Sequence, residues 1–320
     1  MGLFENMLSS NESIFADTIA LDFDYQPKLI LHREAQQKRI AECIRPLFQK
    51  RTGKNIIVSG QPGIGKTVCL KHVLDELKQE TDEIYCIYTN CWKKDSPFKI
   101  LLQICEDIGY TWTHNKSYDE LIGKVIETIN KKSAVIVLDE ADKLADLKLV
   151  YTLLDDLFRK TIILIANNKE FLTTLDTRIK SRLIPEYLEF NPYDKHQIKD
   201  ILNERVKYAF VPNVIEQNVI DFISEKSFET GDIRIGLNLL KSAGEEAENQ
   251  SSKKLRLEHV KIALTKLEAL RTKNISNECE EILKIIKENE KSSILNLYEK
   301  YKENNGNKSY RTFHRRLKEL

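Results

Sequence analysis

Residues 60–67 read GQPGIGKT, which places glycines at 60, 63 and 65 ahead of a lysine and a hydroxyl in the spacing G-x-x-x-x-G-K-T. Glycine lets the backbone curl until its N–H groups, with the positive end of a following helix, face an anion. In that cradle Lys66 would neutralise terminal phosphates and Thr67 would offer its hydroxyl to a divalent cation, while Gly60, Gln61, Pro62, Gly63, Ile64 and Gly65 form the turn. The flanking residues supply the context the motif needs, since the β-branched run NIIVS (55–59) reads as a buried strand and a helical pattern follows. A chance glycine-rich turn is the alternative.

A second element is VIVLDEADK, in which an apolar strand carries Asp139 and Glu140 to its carboxyl end, the side on which parallel sheets bind ligands. Asp139 suits the metal-binding role, and Glu140 the orienting or deprotonating of a water. Two adjacent acids could instead cap the next helix. Phosphoryl transfer also needs positive charge at the phosphates and a polar group to place water. Asn167 ends the strand TIILIAN, with Asn168 beside it as a competing assignment. Arg182 in TRIKSRL is either an arginine finger reaching a neighbouring subunit or a surface arginine. Arg234 in GDIRIGLNLL stands in the first turn of a helix capped by Asp232, where the helix dipole does not favour a cation; a phosphate partner explains it better.

These residues need a scaffold, and the chain is patterned for one. Short apolar strands are expected at 55–59, 84–89, 134–139, 161–166 and 186–190, separated by amphipathic helices such as PFKILLQICEDIG and YDELIGKVIETINKK. That alternation predicts an α/β fold with a parallel sheet covered on both faces. From about residue 195 to 270 the periodicity is helical throughout, which predicts an all-helical second domain; after the polar stretch RTKNISNE come three further helices, at 279–289, 292–303 and 309–320.

At 320 residues and 41 % hydrophobic content the chain can build more than one core. Its net charge of +1 hides an excess of Lys and Arg from residue 253 onward. Six cysteines without a C-x-x-C pair suit reduced thiols. No apolar run approaches the length that spans a bilayer, and MGLFEN has Asn6 where a myristoylation signal has Ser or Thr, so a cytoplasmic protein is expected. In the last segment, with Ser309 as cap, Tyr310, Phe313, Leu317 and Leu320 share one helical face, while Lys308, Arg311, His314, Arg315 and Lys318 are cations placed to meet DNA. Both a DNA-reading helix-turn-helix and a small packing cap fit this pattern.

The order and spelling of these pieces resemble the origin-recognition and Cdc-type replication initiators, a family of AAA+ ATPases. The resemblance spans nearly the whole chain and rests on SIFADTIALDFDYQPKLILHREAQQKRIAECI, YTNCW, LDTRIKSRLIPEYLEFNPYDKHQIKDIL and GDIRIGLNLLKSAGEEAE as well as on the phosphate loop. It implies an AAA+ base over residues 1–190, a helical lid over 191–272, and a winged-helix domain over 277–320 in which the sequence stops before a β-hairpin wing, either because the wing is absent by nature or because the sequence is truncated. By the same resemblance, Tyr25, Pro27 and the His32–Arg33–Glu34 stretch wrap a nucleotide base, Asn167 and Arg234 act as first and second sensors, Arg182 acts as the finger, and a DNA-contacting element lies between Trp92 and Lys116. ATP or ADP with Mg²⁺ are then the cofactors. Origin-like duplex DNA, an MCM-type helicase and other initiator subunits are the expected partners, with slow hydrolysis as a switch. The alternatives are an assembly ATPase of clamp-loader or transposition-helper type, acting on proteins, and a DNA-binding protein with a locked nucleotide.

Overall fold

Every residue of the strands Ser133–Asp139 and Lys160–Ala166 is buried, as a sheet covered on both faces requires of its central strands. The computed structural model describes residues 13–144, 146–168, 170–274, 285–286, 294–303, 310 and 313. The chain divides into two compact units, Met1–Leu257 and Glu258–Leu320.

In the first unit β1 (Ile56–Ser59), β2 (Ile84–Asn90), β3 (Ser133–Asp139), β4 (Lys160–Ala166) and β5 (Glu186–Glu189) form one parallel sheet in the order β2-β3-β4-β1-β5. All five strands expected from sequence are present, each within one residue at either end. The edge strands β2 and β5 alternate in burial where the central ones do not. Side-chain alternation sends Ile56, Val58, Val135, Val137, Ile163 and Ile165 to one face, packed with α1 (Glu34–Ile44) and α2 (Lys66–Glu80). Ile57, Ile136, Leu138, Ile162 and Leu164 go to the other. There they meet α3 (Pro97–Asp107), α4 (Tyr118–Ile129), α5 (Lys148–Asp156), α6 (Phe171–Thr174) and α7 (Thr177–Leu183). Burial keeps the thiols on these faces protonated, and Cys69 is pushed up to about 12.

Three helices, α8 (Lys195–Ala209), α9 (Gln217–Thr230) and α10 (Ile233–Asn249), follow the sheet. Asp194 and Gln197 form a capping box at the start of α8, and Gly231 ends α9 at φ +67°, a conformation glycine adopts without a Cβ penalty. The first described residues, expected from sequence to belong to the base, pack on these helices. Phe15 stacks on Phe210 with centroids 4.8 Å apart, Ala16 N–H donates to the Ala209 carbonyl at 2.8 Å, and the buried Arg205 guanidinium donates to the Ala20 carbonyl at 3.2 Å. A strap thus runs from these helices to α1.

In the second unit lie the helix α11 (Leu257–Asn274), which begins at the boundary, and α12 (Ile294–Glu303). Ile285, Leu297, Tyr301 and Phe313 make a small core, with Tyr310 edge-on to Tyr298 at 5.1 Å. Tyr310 and Phe313 are helical; of the apolar face expected there, Phe313 is buried at 1 % exposure, Tyr310 is exposed at 39 %, and Leu317 and Leu320 lie outside the described residues. Lys308, Arg311, His314, Arg315 and Lys318 lie outside the described residues.

Candidate active site

β1, β3 and β4 end side by side at the carboxyl edge of the sheet, because Ser59 registers with Ala166, and Leu138 with Leu164. The loop after Ser59 therefore faces Asp139 and Asn167 directly. Gly63 and Gly65 have φ of +77° and +86°, so the turn depends on residues without a Cβ. Gly65 is also the N-cap of α2 and offers no side-chain oxygen to the first-turn N–H groups. Those donors are left for an anion.

Lys66 is 6 % exposed and folds over the loop, its Nζ donating to the Gly60 carbonyl at 2.5 Å, the Gln61 carbonyl at 2.7 Å and Asn167 Oδ1 at 2.9 Å. Asn168 instead serves the turn into α6, accepting from Glu170 N–H at 2.8 Å, so Asn167 is the residue that reaches the phosphate loop. Thr67 Oγ1 donates to Asp139 Oδ2 at 2.6 Å, and the Tyr88 hydroxyl donates to the same oxygen at 2.8 Å. Asp139 Oδ1 accepts from the Glu140 N–H at 2.9 Å. Glu140 adopts φ +54°, a left-handed conformation uncommon outside glycine, which breaks the strand's alternation and brings Glu140 to the cavity wall.

The cavity holds about 560 Å³ and is lined by Tyr25, Pro62, Gly63, Gly65, Lys66, Thr67, Asp139, Glu140, Asn167 and Arg234, among others. Arg234 reaches it from the first turn of α10, where Asp232 accepts from its backbone N–H at 2.9 Å and from its Nη2 at 2.7 Å. That carboxylate raises the guanidinium pKa further. An adjoining apolar recess is walled by Pro27, Leu29, Ile30, Val68, Tyr193 and Tyr208, a surface suited to a flat aromatic base.

Several expected site residues stand elsewhere, among them His32, whose ring meets Asp200 at 3.0 Å, and Glu34, which accepts from the His32 N–H at 3.1 Å. Arg33 lines neither cavity: its guanidinium is buried beneath the loop, donating to the Ile64 carbonyl at 2.9 Å and the Asn191 carbonyl at 2.8 Å, 3.8 Å from the Tyr193 ring centre. It braces the loop from behind. Ile64 turns its side chain into the core at 1 % exposure. Arg182 lies on α7, paired with Asp155 and set 4.8 Å from the Tyr151 ring, outside the cavity of its own chain. Sequence reasoning missed Tyr88, although YTNCW closes a strand beside the acids, and Arg205, which ties α8 to the Tyr25 carbonyl at 3.4 Å and lines both cavities.

Burial pulls the Lys66 ammonium down to about 8, against the opposing pull of Asp139, Asp142 and Glu140. A polyphosphate favours the charged form, so binding takes up a proton. Affinity should be full below about pH 8 and fall as pH rises through that value, to about tenfold weaker at pH 9 than at pH 7. Calorimetric titrations near pH 8 in buffers of different ionisation enthalpy would report the proton uptake; equal heats across buffers would contradict it.

Among the described residues no cluster of three or more His, Cys, Asp or Glu could hold a metal by itself. One hydroxyl and one carboxylate, Thr67 and Asp139, fit Mg²⁺ all the same, because that ion takes oxygen ligands and commonly shares them with phosphates. When bound, it would neutralise phosphate charge. Lys66 and Arg234 bring positive charge to the cavity wall, and Glu140 and Asn167 are polar groups on the same wall that could orient a water there.

The chain has known relatives. A family model described as a Cdc6 AAA+ ATPase-type lid domain matches residues 199–265, and one for an AAA domain matches 49–175. The ORC1-type DNA replication protein of Pyrococcus abyssi is 34 % identical over 288 residues, covering 83 % of this chain and 68 % of the relative. The chain belongs to the ORC1/Cdc6 family of AAA+ ATPases. ORC1-type DNA replication protein 2 of Methanothermobacter thermautotrophicus is 28 % identical and is matched over 88 % of its length by 98 % of this chain. The Aeropyrum pernix ORC1 protein, solved in complex with DNA, superposes with a TM-score of 0.75 at 28 % identity, covering 98 % of this chain and 88 % of that one. This member of the ORC1/Cdc6 family is thus a replication-initiator AAA+ ATPase with a nucleotide-binding base and a helical lid. No helix among its described residues is long and apolar enough to cross a membrane.

Proposed function

We propose that this protein is an ATP-controlled initiator that grips origin-like duplex DNA through its C-terminal residues and promotes loading of an MCM-type helicase. ATP with Mg²⁺ occupies the cleft formed by the base (1–190) and the lid (191–272), and slow hydrolysis to ADP resets the switch. Residues 277–320 form the DNA-binding domain, Arg182 serves the nucleotide of a neighbouring initiator subunit, and the protein works at the nucleoid. The observation that carries the reading is the convergence of Lys66 on Asn167 and of Thr67 on Asp139 in a cavity that also receives Arg234 from the lid. Such an arrangement lets one phosphate group be felt by both parts at once. Membership in a family of DNA replication proteins supports the rest.

The test is duplex-DNA affinity across a salt series, with ATP or ADP, for the intact chain and for a variant with alanine at Lys308, Arg311, His314, Arg315 and Lys318. Each phosphate-binding cation removed should lower the slope of log K against log salt by about one, and affinity at moderate salt should drop at least about tenfold. Equal binding by the two proteins would remove DNA from the function of these residues and bring the protein-assembly reading forward.

A further inference from the structure

Asp232 does more than start a helix. Its Oδ1 accepts from the Arg234 N–H at 2.9 Å, which caps α10, and its two oxygens take Arg234 Nε at 3.0 and 3.1 Å and Nη2 at 2.7 Å. The same carboxylate lies against the phosphate loop, where a Cβ on Gly63 would collide with it, and the neighbouring Ile233 N–H donates to the Gly63 carbonyl at 3.3 Å. An anion therefore stands at the mouth of an anion-binding loop and holds the cation that the lid offers to that loop.

We propose that Asp232 is a displaceable counter-anion that sets the preference of this site for nucleoside triphosphate over diphosphate. The inference rests on the nucleotide reading of the cavity. A diphosphate seated on the loop leaves the Asp232–Arg234 pair intact and gains nothing from Arg234. A triphosphate brings a further doubly ionisable group to the side from which Arg234 enters, and it competes for the same guanidinium edge. The exchange leaves Asp232 with its helix-cap bond but without the guanidinium, beside a phosphate, which costs part of what Arg234 contributes. Asp232 is thus a positioning residue acting through Arg234.

Asp232→Asn separates the two duties, since asparagine caps a helix about as well as aspartate but cannot form the ion pair. With Mg²⁺ present, β,γ-imido-ATP and ADP are titrated against the unmodified protein, Asp232→Asn, Arg234→Ala and the double variant. The expected result is at least about fivefold tighter binding of the imido analogue by Asp232→Asn, less than about twofold change for ADP, and no tightening in the Arg234→Ala background. A purely structural role would move both nucleotides together. An unchanged ratio of the two affinities, or a tightening that survives without Arg234, would overturn the proposal. Binding of neither nucleotide by the unmodified protein would instead sink the nucleotide reading, and the counter-anion role of Asp232 with it.

Discussion

Replacing Lys66 by alanine is expected to lower ATP affinity at least about 100-fold, or about 2.8 kcal/mol, while the protein without nucleotide stays folded. The lysine donates to two loop carbonyls and to Asn167 at distances of 2.5 to 2.9 Å, so its ammonium is already aimed along the loop. Charge-assisted hydrogen bonds of this kind contribute about 1.5–3 kcal/mol each, and a polyphosphate can receive more than one. Loss of folding is not the cause, because burial disfavours the charged lysine in the folded state. Removing it relieves that penalty as it removes the bonds. Thermal unfolding checks both halves: the Tm without ATP should stay within about 5 °C of the unmodified protein, and the upward shift that ATP produces should vanish. A retained shift would move the phosphate site away from this loop.

The sheet was legible because strands buried on both faces are written as continuous apolar runs, and AVIVL and TIILIA allow no other reading once a glycine loop and helices flank them. The acids were legible for the same reason, since a buried strand that ends on Asp139 and Glu140 must deliver them to its carboxyl edge. Arg33 was not. Its letters say only that a cation follows a histidine, and its inward course depends on Ile64 and Asn191 presenting carbonyls that are distant in sequence. Tyr88 and Arg205 escaped for a related reason. A strand tyrosine and a helix arginine look like ordinary surface or core residues until strand register puts one beside Asp139 and the N-terminal strap passes over the other. Asn167 and Asn168 could be told apart only by direction, one turned to the loop and its neighbour to α6.

Glu140→Gln should separate binding from hydrolysis more cleanly than any other substitution at this site. Glutamine keeps the size and the left-handed backbone demand of the residue while removing the charge and the proton-accepting oxygen. Lys66 is held by Asn167 and Thr67 by Asp139 without help from the Glu140 side chain, and only the Glu140 backbone N–H reaches Asp139. Affinity for ATP should therefore change less than about threefold. Hydrolysis should fall about 100-fold or more, the usual contribution of a positioned general base. Asp139→Asn behaves differently: it replaces the carboxylate on which Thr67 and Tyr88 converge and should weaken the Mg²⁺ dependence of ATP binding as well. Single-turnover hydrolysis beside equilibrium binding distinguishes the two. If Glu140→Gln kept hydrolysis within about threefold, no general base at this position would be needed, Asn167 and the lid arginine would be left to position the water and stabilise charge, and the positive φ at residue 140 would need a reason other than catalysis.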